Sequence, residues 1–288
     1  MTGEITPSRM ESVESQSWAD YQLAGRPVYG TRALWVGGAV ALEVPGDPSG
    51  SLNRTMGLGW EKPVSAGLLE RIIGFYREAK APSTILMMPP QVLPPDWAAL
   101  CERFGITDMG SAIVKLAGRA RAVADQALAV RHLGRGLRVG SVPASRADAW
   151  GQAMQRGFMR DDPRVAQQSA GLWGLPGWQL FAVYDGDDIV ATGSLRVEGT
   201  VGHLFGGATL PSARNRGAQS ALIAARAAAA LKAGCSWVIG EAVAEKPGQH
   251  NPSLHNQLRA GLTARYRREN WIMPAGLPRR LRCRTGGP

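Results

Sequence analysis

Between Ala208 and Cys235 the chain reads ATLPSARNRGAQSALIAARAAAALKAGC. A short apolar segment ends at Leu210-Pro211, a polar turn carries Arg214, Arg216 and Gly217, and a long alanine-rich run follows. The pattern predicts strand, tight turn and helix, with CSWVIGEAV as the buried strand after it. A turn of this kind leaves the backbone N–H groups of the first helical turn without partners and all pointing one way, which is an anion site. Gly217 allows close backbone approach to a phosphate, and Arg214 and Arg216 add positive charge. A Walker loop would need Gly-Lys-Ser/Thr, and a dinucleotide fold would need Gly-x-Gly-x-x-Gly after the first strand; the sequence has neither. A surface turn with solvated arginines is the competing reading of Arg-x-x-Gly taken alone.

A chain of 288 residues has room for two ordinary domains, each with its own core. With 44% hydrophobic and 19% charged residues it reads as a globular protein, and no apolar run approaches the roughly 20 residues of a membrane helix. Residues 1–20 carry Glu4, Glu11, Glu14 and Asp20 without an apolar segment, so they are expected to be a flexible extension rather than a secretory signal. Cys101, Cys235 and Cys283 are odd in number and far apart, which supports neither a disulfide framework nor a metal knuckle and points to the cytoplasm. Charge is uneven along the chain: residues 1–130 hold 12 Lys and Arg against 13 Asp and Glu, and residues 131–288 hold 21 against 10. The basic second half suggests an anionic partner, although Arg279, Arg280, Arg282 and Arg284 read equally well as a ragged tail.

The same order of elements occurs twice. In the second half, LRVGSVPASRADAWGQAMQRGF reads as strand, turn and helix, and three strands follow in WQLFAVYDGDDIVATGSLRVEGTVGHLFGGATL, with Asp185-Gly186-Asp187 and Glu198-Gly199 at the turns. After the alanine-rich helix and its strand come a helix near Ser253 to Ala260 and a closing strand, TARYRRENWIM. The first half offers strands in TRALWVGGAVALEVP and LNRTMGLGW, a helix in SAGLLERIIGFYREAKA, a strand in STILMMPP, a helix in PDWAALCERFGI and a last strand in SAIVKLAGRA. Residues 118–136 would connect the two, with apolar spacing that permits a short helix.

The order GHLFGGATLP, SARNRGAQSA, helix, WVIGEAV and NPSLHNQLRAGL resembles the GNAT N-acetyltransferase superfamily over roughly residues 135–275. That superfamily's acetyl-CoA loop has the form Gln/Arg-x-x-Gly-x-Gly/Ala, and Arg214-Asn215-Arg216-Gly217-Ala218-Gln219 fits except at Gln219. The first half looks like a degenerate copy. Its GLGWEKPVSAGLLER lacks Arg-x-x-Gly and places Glu61 and Pro63 at the loop, so it should bind no CoA. The expected fold is α/β, with two GNAT-like mixed β-sheet domains flanked by helices in a pseudo-dimer: residues 21–130 the degenerate domain, residues 131–288 the acetyl-CoA-binding one.

The resemblance implies that the strand ending at Leu210 splays from the strand around Val238 to Glu241. The pantetheine arm would lie in the gap against backbone near Thr209 and Leu210, and the pyrophosphate on the N–H groups of Arg216, Gly217, Ala218, Gln219 and Ser220. Amide formation needs a neutral amine, and an alkylamine with a pKa near ~10.4 requires a base or a water relay. His203 and Glu241 are the candidates; Glu241, on a strand face with Trp237 and Ile239, is expected half-buried with a raised pKa, or else paired with an arginine. The family's acidic tyrosine, four residues before Gly261, is Gln257 here, leaving Asn256, Ser253 or water to orient the thiol, with Tyr266 nearby on a strand. Trp150, Phe158, Trp173 and Trp178 form either an acceptor wall or ordinary core.

The expected activity is acetyl-CoA-dependent N-acetylation of a small or amino-acid-like amine by direct attack in a ternary complex. The alternative is a catalytically weak acetyl-CoA-binding regulatory protein. A nucleic-acid module is a third reading, argued against by arginines that are not interleaved with exposed aromatics along one element. No membrane partner is expected, and the sequence leaves monomer and homodimer open.

Overall fold

Thr6 and Pro7 open the first helix: the Thr6 hydroxyl accepts from the Arg9 amide at 3.2 Å, and Pro7 occupies the first helical position. The computed structural model describes residues 3–47, 52–130, 132–160 and 162–276, so the arginines of the tail and Cys283 lie outside the described residues. From the N-terminus the chain forms α1 (Pro7–Ala24), α2 (Arg26–Tyr29), β1 (Arg32–Val36), β2 (Ala39–Glu43), β3 (Arg54–Met56) and α3 (Ala66–Glu78). It continues with β4 (Ser83–Met88), α4 (Trp97–Phe104), β5 (Thr107–Arg119) and α5 (Ala120–Ala129). The second half contains β6 (Leu137–Ser141), α6 (Ala147–Gly157), α7 (Pro163–Ala170), β7 (Trp178–Asp185), β8 (Asp188–Glu198) and β9 (Val201–Thr209). It closes with α8 (Ala218–Lys232), β10 (Trp237–Val243), α9 (Pro252–Arg259) and β11 (Thr263–Pro274).

The chain divides into two units, and neither is a continuous half. One comprises residues 1–32 and 111–268, the other 33–110 and 269–288, unlike the boundaries at 20 and 130 expected from sequence. The cause is an exchange of closing strands. β5, which ends the first half, pairs antiparallel with β10, setting Lys115 opposite Glu241 and Leu116 opposite Gly240. The distal part of β11, which ends the second half, pairs antiparallel with β4, from Glu269 opposite Met88 to Pro274 opposite Ser83.

In the larger unit the strand order is β11–β5–β10–β9–β8–β7–β6; from β5 to β6 neighbours are antiparallel except for β9 with β10. Alternation along β7 explains its nearly complete burial. Phe181 and Val183 join a cluster with α5 and α8, whereas Leu180, Ala182 and Tyr184 join one with α6. The alanines of α8 have a packing reason: Ala221, Ala224, Ala227 and Ala230 are buried, and a Cβ on Gly202 of β9 would lie 2.8 Å from the Ala230 methyl. Only small side chains permit that approach.

α1 corrects the expectation of a flexible N-terminal extension. It buries Met10 and Val13 against Ala117, Val201, Trp237 and Ile239, and it also buries Glu11, Glu14 and Ser17. Acidic residues suggested a solvated tail, but their partners are buried cations of β5 and β11. Residues 118–136 include a helix, α5, whose Val123, Ala124 and Ala127 share a core with α8.

The smaller unit orders its strands β1–β2–β3–β4–β11, with β3 and β4 parallel and joined by α3. Leu69, Ile72 and Tyr76 of α3 pack with Leu86 and Met88 of β4 and Met273 of β11. Strand, helix, parallel strand and helix thus recur as β3, α3, β4, α4 and as β9, α8, β10, α9. Among the described residues no helix is long and apolar enough to cross a membrane.

Candidate active site

β9 and β10 lie parallel only from Val201 opposite Trp237 to His203 opposite Ile239. Beyond that point β9 runs on to Thr209 paired with β8 and β10 runs on to Val243 paired with β5, so the strands part as the family resemblance implied. The alternating faces of β10 place Trp237, Ile239 and Glu241 toward α1, and Val238 and Ala242 toward the α5–α8 core.

His203 and Glu241 meet on the α1 side. His203 is fully buried, with Nε2 2.7 Å from Glu241 Oε2 and Nδ1 2.7 Å from Ser17 Oγ. Ser17 Oγ also lies 2.7 Å from the Val13 carbonyl, and its single hydroxyl proton can go either way. It donates to Val13 when Nδ1 donates, and to Nδ1 when Nδ1 accepts, so the Ser17 bond survives in either tautomer, while the bond to ionised Glu241 requires a proton on Nε2. Glu241 keeps 18% of its side chain exposed and is the member of the pair that meets solvent.

Glu241 belongs to a larger buried ionic cluster. Lys115 Nζ lies 2.7 Å from Glu241 Oε1 and 2.5 Å from Glu14 Oε2, with Glu11 at 4.0 Å. Arg268 binds Glu14 through both terminal nitrogens and Glu11 Oε2 at 2.7 Å, while Tyr266 donates to Glu11 Oε1 at 2.8 Å. Burial opposes charge on Glu241, but the charges of His203 and Lys115 override it and hold the carboxyl below its ordinary value. That corrects the raised pKa expected from half-burial, and the partners are a lysine and a histidine rather than an arginine. Burial also opposes charge on Lys115, which Glu14, Glu241 and Glu11 nevertheless raise above the usual lysine value. Tyr266, pushed up by burial and by Glu11, is a fixed donor in this cluster.

Sequence reasoning missed Glu11, Glu14, Ser17, Lys115 and Arg268. A signal was present: Lys115 interrupts the apolar SAIVKLAGRA, and a cation in a buried strand requires a carboxylate.

The loop before α8 differs from expectation in detail. Asn215 and Gly217 both adopt left-handed backbone, at φ 59° and 77°. A Cβ on Gly217 would lie 1.4 Å from the His132 carbonyl oxygen, so the chain's own backbone requires glycine here. Arg216 pairs with Asp185 at 2.8 Å, and its carbonyl accepts from Gly134, so its charge is largely answered within the protein. Arg214 is exposed at the loop surface. The Leu210 amide donates to Val190 and its carbonyl accepts from Ala213, which commits backbone that was expected to meet a pantetheine arm; Thr209 pairs with Ala191. Ala221 is the first α8 amide with a helical partner, Gly217 O, and no side chain caps the helix, so the amides of Ala218, Gln219 and Ser220 open the N-terminus.

α9 connects both groups. Gln219 donates to Ser253 at 2.8 Å and accepts from Asn256 at 2.6 Å, which accounts for its departure from the glycine or alanine of the loop pattern. One turn away, Gln257 donates to the Glu241 carbonyl at 2.9 Å. Its Oε1 is buried without a hydrogen-bond partner and sits 2.2 Å from where a Cβ on Gly240 would stand. Of the four aromatics, Trp150 and Trp178 are core, bonded to Phe181 O and Asp20, while Phe158 and Trp173 are exposed.

No family model matches the chain, and no curated protein matches it. Among solved structures it is similar to a GCN5-related N-acetyltransferase from Kribbella flavida, with 17% identity and a TM-score of 0.59 over 91% of this chain and 96% of that one. A tandem GNAT protein from the clavulanic acid biosynthesis pathway matches with 13% identity and a TM-score of 0.59 over 90% and 88%. A GCN5-related N-acetyltransferase from Sphaerobacter thermophilus matches with 16% identity and a TM-score of 0.59 over 95% of both chains. Likeness at such identities speaks to architecture, and the architecture of this chain is the GNAT N-acetyltransferase fold.

Proposed function

We propose that the protein is an acetyl-CoA-dependent N-acetyltransferase acting on a small amine. One contrast carries the reading. α8 opens without a side-chain cap at the end of β9, beside the gap where β9 and β10 part, whereas Ser65 caps the corresponding α3 by accepting from the Leu68 amide at 3.4 Å. Free amides at the end of a helix suit a pyrophosphate, and in the corresponding copy the Ser65 hydroxyl already occupies the Leu68 amide. Arg214, with the amides of Ala218, Gln219 and Ser220, would hold the pyrophosphate; acetyl-CoA would supply the activated acyl group.

Glu241 takes the proton of the attacking amine. The proton is shared between Oε2 and His203 Nε2, 2.7 Å apart, while Ser17 supports whichever tautomer results. Because Glu241 is held below its ordinary value, the acid limb of the rate lies below the usual carboxylate range, and rate rises with pH as the amine loses its proton. Gln257 donates to a backbone carbonyl and cannot act as an acid, so the thiolate leaves unassisted, which is tolerable for a group with a pKa near ~8.5.

The test is calorimetric titration with acetyl-CoA, followed by release of CoA across a panel of amines and amino acids. R214E changes an exposed side chain and reverses charge at the helix mouth. At about 0.3–1 kcal/mol per charge, it should weaken acetyl-CoA binding roughly 3- to 30-fold, less at high salt. No binding by the folded wild type would end the reading; binding without turnover on any amine would leave the regulatory alternative.

A further inference from the structure

The loop from β10 to α9 gathers three side chains that acyl transfer does not use. Glu245 Oε1 lies 3.0 Å from His255 Nε2 and 3.6 Å from His250 Nδ1, and all three ligand atoms fall within 4.8 Å of one another. Among the described residues this is the one group of three His, Cys, Asp or Glu side chains so arranged. We propose that Glu245, His250 and His255 form a binding site for a divalent transition-metal ion of the zinc type.

The spacing fits such an ion. Bonds of about 2.0–2.1 Å at tetrahedral angles set ligand atoms roughly 3.3 Å apart, and the two contacts with Glu245 straddle that value. The two imidazole rings lie 4.3 Å apart between centroids with planes 30° apart, and a nitrogen of each approaches the same carboxylate oxygen, Glu245 Oε1.

The loop is also held in place before any ion arrives. Asn251 caps α9 by accepting from the Ser253 amide at 2.9 Å, and its Nδ2 reaches back to Val243 O at 2.7 Å. Its amide donates to Glu245 Oε1 at 2.6 Å and fixes the carboxylate. His255 stands on α9 itself, so two of the three ligands are anchored and only His250, with 65% of its side chain exposed, must settle.

Ligand chemistry sets the selectivity. Two imidazoles and one carboxylate suit Zn²⁺, Co²⁺, Ni²⁺ or Cu²⁺, whereas Ca²⁺ and Mg²⁺ require oxygen-rich shells. Three protein ligands leave a fourth position for water. Binding replaces the direct contact between His255 Nε2 and Glu245 Oε1 with two bonds to the ion.

The experiment uses the full chain without an affinity tag, stripped with a chelator and titrated with Zn²⁺ and then Co²⁺. One equivalent should bind, and bound Co²⁺ should show d–d bands of nitrogen and oxygen ligation without thiolate charge transfer. H250A and H255A, both at exposed or half-exposed positions, should each weaken Zn²⁺ at least tenfold with unchanged thermal melting of the stripped protein, and C101S should change nothing. Absence of saturable Zn²⁺ binding, or full binding by the folded H250A/H255A double variant, would overturn the proposal.

Discussion

Lys115→Met removes one ammonium group from a fully buried position and leaves its shape nearly filled. In the folded protein that ammonium sits 2.5 Å from Glu14 and 2.7 Å from Glu241. At an effective dielectric of about 20 each contact supplies about 6 kcal/mol of attraction, or about 12 kcal/mol gross. Against this stand several kcal/mol for taking lysine out of water and the repulsion of Arg268, so the net cost of breaking one partner out of a buried pair is roughly 3–5 kcal/mol. At about 2–4 °C per kcal/mol the melting temperature should fall by about 6–20 °C.

The pH dependence has a defined sign. In the wild type, Glu14 and Glu241 are held below their ordinary values, so their contribution to stability is complete above about pH 4.3 and is lost as pH falls further. In K115M burial is opposed less, both carboxyls rise, and protonation relieves the penalty as pH drops. The gap in melting temperature between wild type and K115M should therefore narrow from about pH 8 to about pH 5. Because the single variant can fail to fold, E14Q/K115M is the companion: removing charge on both sides should recover part of the loss. A gap that stays constant with pH, or a K115M protein as stable as wild type, would refute the reasoning.

Deleting residues 1–24 should leave Lys115 and Arg268 without Glu11 and Glu14 and uncover Trp237 and Ile239, giving a lower melting temperature and exposed apolar surface by dye binding. Titration with acetyl-CoA should saturate at one equivalent per chain, since of the two corresponding helices α8 opens without a side-chain cap and α3 is capped by Ser65; two equal sites would contradict that contrast. E241Q should lower kcat with little change in acetyl-CoA affinity, and unchanged turnover would shift proton removal to water. G217A should lower stability even without any ligand, because its Cβ meets the His132 carbonyl and its φ is 77°, and a melting curve identical to wild type would show that this packing is absent.

Elements were legible where the pattern was local. The repeated order of strand, helix, strand and helix and the open entry to α8 follow from apolar runs, turns and an alanine stripe, while the splay after His203 came only with the family resemblance. The α1 contribution was not legible, because its buried face mixes Met10, Val13, Ala19 and Tyr21 with Glu11, Glu14 and Ser17, which blurs any apolar stripe. Partners for those acids lie about 100 and 250 residues away in sequence, at Lys115 and Arg268, and no window of neighbouring residues connects them. The loop failed differently: Arg216 and Gly217 were matched to a phosphate, whereas Asp185 and the His132 carbonyl, distant in sequence, already account for both.

Exchange of closing strands makes the position of Lys115 a question of register. On the α1 side of β5 and β10 stand Lys115, Ala117, Trp237, Ile239 and Glu241; on the other side Leu116, Val238 and Ala242 enter the core with α5 and α8. A slip of one residue between β5 and β10 would turn Lys115 into that apolar core and leave Glu241 opposite Val114 or Leu116. Transfer of an unpaired ammonium into such surroundings costs far more than the few kcal/mol by which a native fold exceeds its rivals. Glu241 is directly opposite Lys115 in the observed register, so the bond that fixes the exchanged strand is also the bond that holds the proposed base. The first half of the chain, whose own helix entry is capped, thus supplies to the proposed site a lysine, a serine and two glutamates that no reading of the second half alone contains.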